Sequence, residues 1–460
     1  MKILKISRIA ILIYALMSLF PAANAIEHGK LRVGASKIDI SPPSDMFPMK
    51  NMQTFSGVHD PIFVRSLVID NGIVKAALVT FDLVGVPGGD DLVKTIGAEL
   101  GIKPEHLYLT ATHDHNTPMV RDPRFAATQT SDQTTQNNLN AYFETIKKST
   151  IRAVKEADSR LQPARVGFAT GKAYVNVNRD QKLGEGYHMG YNPDGPSDKT
   201  VAVVSFTNLS GEPIAIYSNY PVHAVVMFRV KSKDGMPEIT GDIAGATSAY
   251  VERHFKNAVA LWTSGAAGDQ NPLFMANYNQ DGPDVYDECV AGYAILDILS
   301  RRLGEEIVRL TESIKNTSAD VSLWGKQTTV TCPGQKRETP PVQGVPAQGY
   351  LAPAHIKMID GDPVTIPLSL LIINDIALAG VSGEAFTEIG EHLKAQSPFD
   401  RTIVVTHLPN GVGYIPTDAG FNMPSEKAIQ NRLKPGCAEP AIINAFVDIM
   451  NKYLSGDAQK

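Results

Sequence analysis

The chain is organised around residues 107–119, which read LYLTATHDHNTPM. An apolar, β-prone run predicts a strand that ends just before His113 and His115. Residues i and i+2 of an extended backbone point to the same side, so both imidazoles are expected to face one spot. A His-x-His pair at a strand end is typical of a divalent metal site. The alternative is one structural histidine and one that faces solvent.

Working outward, strands and helices alternate along most of the chain. Hairpins are predicted around Asn71-Gly72 and Ser210-Gly211, where short turns separate apolar runs. Helical spacing of apolar residues predicts helices over 90–100, 137–157, 242–255, 291–314, 385–395 and 441–454. This mixture predicts an α/β (mixed α+β) fold, with one large catalytic domain whose mixed sheets are flanked by helices.

Two polar segments are predicted to be surface loops. Residues 181–197 are glycine-rich and carry Tyr187, His188 and Tyr191, which are expected to line a mouth. Residues 332–354 are rich in proline and glycine and are expected to form a loop or lid.

Several apolar strands end in a reactive side chain. These are Asp82, His113, His115, His223 and Glu384. Strand ends of one sheet commonly converge on a ligand site. Two or three histidines with one carboxylate are typical of catalytic zinc, which activates water and polarises a carbonyl. Other chemistries lack support, because the chain has no GxSxG elbow, no P-loop and no GxGxxG motif.

The N-terminus reads as a secretory signal peptide. Lys2, Lys5 and Arg8 precede an apolar run, and a small-x-small cleavage site ends at Ala25. We therefore expect residues 1–25 to be removed, leaving one domain over 26–460 in a periplasmic or secreted protein. The alternative is an uncleaved anchor, for which the apolar run is short.

Charge and cysteine content narrow the classes of partner. The signal segment holds three basic and no acidic residues, so its removal moves the formal net charge from −5 to −8. An acidic chain without Lys/Arg blocks is not expected to bind nucleic acid. Of the three cysteines, Cys332 and Cys437 are one candidate disulfide pair, which would leave Cys289 unpaired.

Short motifs along the chain resemble those of the neutral/alkaline ceramidase family. Thr112-His113-Asp114-His115 resembles the family's THTHSG motif, and Pro221-Val222-His223 resembles its strand-end histidine motif. Further motifs follow in family order: Asn178-Arg179, Thr240-Gly241-Asp242, Gly268-Asp269 with Pro272, Gly383-Glu384, and Tyr414-Ile415-Pro416-Thr417. The resemblance spans roughly residues 30–430, which is nearly the whole mature chain.

The resemblance implies a zinc amidohydrolase that cleaves the amide bond of N-acyl sphingoid lipids. The ligands that it implies for Zn²⁺ are His113, His223, Glu384 and Tyr414. It also implies that His115 faces the metal-activated water or the scissile group, and that Arg179 lies near the polar head or the developing oxyanion. The implied partner is a lipid amide, with transient contact to a membrane surface and no protein partner.

The chain departs from the family pattern at two points. Asn271 stands where the family's GDVSP segment has a serine, and an asparagine can donate to an oxyanion but cannot act as a nucleophile. The chain also ends without the family's C-terminal immunoglobulin-like domain, so it resembles the shorter bacterial branch. Two alternatives stay open, namely a metal hydrolase of another amide or ester and a catalytically inactive exported binding protein.

Overall fold

Two β-sheets lie face to face between two layers of helices in the computed structural model of this protein. The structure describes residues 27–50, 53–123, 132–184, 186–232, 235–276, 288–338, 358–421 and 431–457. The predicted signal peptide, Tyr350 and most of the predicted lid lie outside these residues, as does the side chain of Cys289. None of the described helices is both long and apolar enough to cross a bilayer.

The strands are numbered in chain order. They are β1 Gly29–Lys30, β2 Arg32–Asp39, β3 Met49–Lys50, β4 Thr54–Phe55, β5 Gly57–Val58, β6 Phe63–Asp70, β7 Lys75–Phe81, β8 Leu107–Ala111, β9 Gln162–Lys172, β10 Asn176–Leu183, β11 Gly186–Asn192, β12 Thr200–Asn208, β13 Pro213–Tyr220, β14 Glu238–Ile239, β15 Val259–Ser264, β16 Gln270–Pro272, β17 Thr317–Ser318, β18 Asp320–Val321, β19 Leu323–Arg337, β20 Met358–Ile373, β21 Ile376–Val381, β22 Glu384–Ala385, β23 Arg401–Val405 and β24 Tyr414–Ile415.

The helices are numbered in the same way. They are α1 Gly89–Leu100, α2 Gln133–Ser159, α3 Asp242–His254, α4 Glu288–Ser313, α5 Thr387–Gln396, α6 Asp418–Phe421 and α7 Ala438–Leu454, with single 3₁₀ turns at Ser44–Met46 and Pro104–His106.

The larger sheet has the strand order β15-β13-β12-β9-β2-β6-β7-β8, and β17 pairs with β9. The smaller sheet has the order β19-β20-β21-β23. Apolar side chains of both sheets share one core cluster, which includes Phe206, Tyr217 and Leu378. The outer face of the larger sheet packs on α1 and α2 at one end and on α3 and α4 at the other. The outer face of the smaller sheet packs on α5 and α7.

Alternation of side chains along each strand explains how the larger sheet packs on the smaller sheet with one face and on helices with the other. In β8, Leu107 and Leu109 join the cluster beneath α1 and α2, whereas Tyr108 faces the smaller sheet. Period-two alternation assigns successive side chains to opposite faces. The predicted mixed α/β fold is confirmed, and its sheets are flanked by helices as expected.

The predicted hairpins are present, but two predicted loops are wrong in part. Within the segment 181–197, residues 181–183 belong to β10 and Gly186–Asn192 form β11, the two strands pair antiparallel, and β10 also pairs with β16. The polar, glycine-rich composition of this segment gives no sequence signal for strands. The strands form because β10 makes backbone hydrogen bonds with both β11 and β16. Likewise β19 continues to Arg337, and a disulfide joins Cys332 in that strand to Cys437.

Asp82 does not join the other polar strand ends. Its carboxylate accepts a 2.7 Å hydrogen bond from Arg65 on the neighbouring strand, and both side chains are almost fully buried. Arg65 also contacts Glu252 at 3.4 Å. Burial raises the pKa of Asp82, although Arg65 opposes that shift. Asp82 is therefore half of a structural ion pair.

Removing one member of this pair should destabilise the protein strongly. Asp82→Ala leaves a buried guanidinium without its main partner, and we expect a loss of about 3–5 kcal/mol in unfolding free energy. The double variant Arg65→Met/Asp82→Leu should lose much less, because it removes both charges. Chemical denaturation measures both, and equal losses for the two variants would contradict this account.

Candidate active site

The His113–His115 pair follows β8 directly, but its backbone is not extended. His113 has φ +61°, in the left-handed region. The backbone N–H groups of Asp114 and His115 donate to the carbonyls of Leu83 and Ala224. The rings stand edge-to-face, with their Nε2 atoms 3.0 Å apart. The two imidazoles do face one spot, yet the expected reason was wrong, since a sharp bend and not strand periodicity directs them there.

His223 reaches the same spot from the end of β13. A bridge between Asp114 and Ala224 places the segment after β8 beside the segment after β13. The ring Nδ1 of His223 lies 3.1 Å from the carbonyl oxygen of Gln270. Burial, with Arg179 as a further cause, lowers the pKa of His223 to about 3. The imidazole is therefore neutral at neutral pH, which is the form that binds a metal.

Glu384 and Tyr414 are placed by one short pair of strands. They are register partners in the parallel pairing of β22 with β24. The Oε2 atom of Glu384 lies 3.2 Å from Nε2 of His223 and 3.5 Å from Nε2 of His113. Burial alone would raise the pKa of Glu384, but His113 and His223 hold it well below its usual value. The site thus holds a buried carboxylate between two imidazoles.

The hydrogen bonds on the far side of each ring fix its tautomer. Nδ1 of His113 lies 2.9 Å from the carbonyl oxygen of Val84, and Nδ1 of His223 lies 3.1 Å from that of Gln270. A carbonyl can only accept, so both Nδ1 atoms carry a hydrogen, and the Nε2 atoms of both rings face Glu384. Outer partners of this kind orient metal-binding histidines in proteins.

These atoms suit a tetrahedral metal. Ligand atoms about 2.0–2.1 Å from a tetrahedral zinc lie roughly 3.3 Å from one another. Nε2 of His113 lies 3.0 Å from Nε2 of His115 and 3.5 Å from Oε2 of Glu384, and Nε2 of His223 lies 3.2 Å from the same Oε2 atom. The ligand nitrogens of the three histidines all lie within 4.8 Å of one another. Two imidazoles and a carboxylate therefore fit such an ion, and His115 lies close enough either to bind it or to act beside it.

Arg179 connects the remaining candidate residues. Its Nη2 atom lies 2.8 Å from the carbonyl oxygen of Gly268, 3.1 Å from the hydroxyl of Tyr414 and 3.2 Å from Nε2 of His223. Burial alone would lower the pKa of Arg179, but Tyr414 and Glu384 raise it. A permanent positive charge is thus held at the edge of the histidine cluster.

Asn271 contacts the guanidinium group of Arg179 through its side chain. Its side-chain oxygen accepts a 3.1 Å hydrogen bond from Nη1 of Arg179, and its amide nitrogen lies 3.2 Å from the sulfur of Met275. Asn271 is almost fully buried. These contacts show that it orients Arg179, and a direct contact with an oxyanion stays a prediction.

His407 belongs to this cluster, although sequence reasoning missed it. It follows β23, and its ring stacks face-to-face on that of His113, with centroids 3.9 Å apart and planes 9° from parallel. Burial lowers the pKa of His407 well below its ordinary value. The signal was available, because His407 is one more histidine at the end of a predicted strand.

Asp269 anchors the strands that carry Arg179 and Asn271. Its carboxylate accepts hydrogen bonds from the backbone N–H and the hydroxyl of Thr387, both at 2.9 Å, and from the side chain of Asn178 at 3.0 Å. Thr387 is the first residue of α5, which follows Glu384 closely. One buried carboxylate therefore ties the two halves of the site together.

The predicted mouth residues lie on the hairpin that begins near Arg179. Tyr187, His188 and Tyr191 are in β11, which pairs with β10. Tyr191 and Met189 are about half exposed, at 45% and 52%. The hairpin thus presents apolar side chains on the strand pair that carries Arg179.

Known proteins resemble this chain over the region of the histidine cluster. A family model described as "Neutral/alkaline non-lysosomal ceramidase, N-terminal" matches residues 31–290. That range includes His113, Arg179, His223 and Asn271, and Glu384 follows it. Neutral ceramidase A of Dictyostelium discoideum is 26% identical over 278 residues, which cover 56% of this chain and 37% of that protein. The match therefore spans well under half the length of that curated relative.

Two solved structures share the fold. A ceramidase complexed with C2 has a TM-score of 0.70 at 17% identity, covering 92% of this chain and 75% of that chain. Neutral ceramidase from Pseudomonas aeruginosa has a TM-score of 0.67 at 18% identity, covering 93% of this chain and 75% of that chain. At these identities the likeness establishes the mixed α/β fold.

Replacing Asp269 should destabilise the protein through the site. Asp269→Ala removes the acceptor of three buried hydrogen bonds, and we expect a loss of about 2–4 kcal/mol in unfolding free energy. Asp320→Ala, which removes an exposed partner of Lys30, is the matched control and should change stability by less than about 1 kcal/mol. Chemical denaturation compares them, and similar losses for both variants would contradict the anchoring role.

Proposed function

This chain belongs to the neutral/alkaline non-lysosomal ceramidase family, and we propose that it is a zinc-dependent amidohydrolase of an N-acyl lipid. The observation that carries the proposal is the convergence of His113, His223 and Glu384, with the Nε2 atoms of both rings directed at the carboxylate. A bare binding module has no need of two imidazoles held in this way around a buried carboxylate.

We assign zinc to His113, His223, Glu384 and Tyr414. Zinc bound there would polarise the amide carbonyl and lower the pKa of a water molecule, which makes that water a nucleophile at neutral pH. The donor set suits this ion, because nitrogen and carboxylate oxygen are common zinc ligands. Tyr414 is the least usual member of the set, and its hydroxyl is already held beside Arg179.

The remaining residues supply proton transfer and charge. His115 is kept neutral because burial lowers its pKa, with His113 as a further cause, so its ring can accept a proton from the attacking water. The same nitrogen then returns the proton to the departing amine as the C–N bond breaks. Arg179 places a positive charge where the carbonyl oxygen becomes negative, and Asn271 holds Arg179 in position.

An N-acyl lipid is the substrate class that these features support best. Such a molecule needs a polar clamp for its head group and apolar area for its acyl chain. Arg179 offers the first, and the half-exposed Met189 and Tyr191 on the following hairpin offer the second. We further propose that residues 1–25 direct export, so that 26–460 act outside the cytoplasm.

The test measures zinc and amide hydrolysis on the same purified protein. We expect about one zinc per chain and hydrolysis of long-chain N-acyl sphingoid amides, which a chelator abolishes and added zinc restores. His223→Gln should strip the zinc and reduce turnover to background, because it removes one of the two imidazole ligands of the proposed site. His254→Gln, at an exposed histidine paired with Glu312, is the matched control and should change neither quantity.

Three outcomes would contradict the proposal in different ways. Full zinc content in His223→Gln would show that the metal site is assigned wrongly. Zinc binding without hydrolysis of any acyl amide or ester would favour an inactive binding protein. Hydrolysis of other amides or esters, with N-acyl lipids left intact, would support the assignment as a metal hydrolase and contradict the proposed substrate class.

A further inference from the structure

His407 contacts the site through one ring face. Its imidazole lies face-to-face with that of His113 at 3.9 Å, and among the described residues no hydrogen-bond partner reaches its ring nitrogens. We propose that His407 is a positioning residue, whose stacked ring holds His113 in the orientation that binds the metal. This inference rests on the metal site of the proposed function.

The backbone around His407 is clamped from two sides. The N–H of Ala111, at the end of β8, donates to the carbonyl of His407 at 3.1 Å. The N–H of Thr406 donates to the carbonyl of Ser264, at the end of β15, at 3.0 Å, and its hydroxyl donates to Gly265 at 2.8 Å. The end of β23 thus lies between the two edge strands of the larger sheet.

This clamp holds His407 in a conformation that favours glycine. Its φ is +61°, in the left-handed region, where a side chain is disfavoured. Strained residues persist where the surrounding structure determines the backbone, and they cluster at functional sites. A glycine at this position would adopt the same backbone conformation without strain, so the histidine side chain lowers the stability of the fold.

The stacked ring supplies a constraint that His113 otherwise lacks. The hydrogen bond from Nδ1 to Val84 holds one edge of the ring. His115 and His223 approach the ring of His113 edge-on, at centroid distances of 4.5 and 4.8 Å. His407 covers one face of the ring, so turning of the plane would break the stack.

The contact is also electrostatically suited to a metal ligand. An imidazole that donates its lone pair to a cation becomes electron-poor, and the π face of a neighbouring aromatic ring attracts such a group. Hydrogen-bonded outer partners of metal ligands change metal affinity roughly 10- to 100-fold when they are removed, and we expect the stacked ring to act on the same scale. The inference therefore predicts an effect on affinity that does not depend on turnover.

Three substitutions separate the stack from the ring nitrogens and from the backbone. His407→Gly and His407→Asn both suit the left-handed backbone and remove the ring, whereas His407→Phe keeps a ring without nitrogens. We expect Gly and Asn to weaken zinc binding roughly 10- to 100-fold in a chelator competition, with Phe close to wild type. Asn374→Gly, at a left-handed residue in the β20–β21 turn, is the matched control and should bind zinc like wild type.

A second readout reports the ligand geometry itself. With cobalt(II) in place of zinc, the visible absorption bands should shift in the Gly and Asn variants and stay unchanged in the Phe variant. Wild-type affinity and spectra in the Gly and Asn variants would overturn the inference. Equal losses in all three variants would also overturn it, because the nitrogens would then matter and not the stack. A wild-type protein without a zinc site would instead overturn the proposed function, and this inference with it.

Discussion

Two hydrogen bonds to backbone carbonyls determine what the site can do. Val84 and Gln270 each accept from the Nδ1 of a histidine, and each thereby turns an Nε2 atom towards Glu384. Without them the imidazoles would be free to present either nitrogen, and the buried carboxylate would lack its two partners. Both acceptors are backbone atoms, since Val84 lies just after β7 and Gln270 lies in β16. The backbone of these segments therefore sets the orientation of the proposed ligands.

The proposed ligands come together because the end of β23, a strand of the smaller sheet, hydrogen-bonds to both edges of the larger sheet. β8 and β15 are opposite edges of the larger sheet, yet the segment Thr406–His407 hydrogen-bonds to the ends of both. The smaller sheet also carries Glu384 just beyond β21. A histidine pair from one sheet and a carboxylate from beyond the other therefore meet at one point. The proposed ligand set is therefore complete only when both sheets are folded.

Much of this arrangement could be predicted from strand ends alone. His113, His223 and Glu384 each follow an apolar run, and the structure brings Nε2 of both histidines within 3.5 Å of Oε2 of Glu384. The same rule included Asp82 wrongly, because a carboxylate at a strand end can also pair with an arginine on the next strand. It would have included His407 had the end of β23 been read like the others. The contact of Asn271 with Arg179 joins residues 92 positions apart, and no local pattern encodes the pairing of β10 with β16 that creates it.

The identity of the metal ligands is tested most directly by X-ray absorption at the zinc edge of the zinc-loaded protein. His115 lies as close to His113 as a fellow ligand would, so the number of imidazoles around zinc is the decisive quantity. We predict two imidazole nitrogens at about 2.0–2.1 Å, with oxygen ligands completing the shell. A fit that requires three imidazoles would contradict the account, because His115 would then bind the metal and could not transfer the proton.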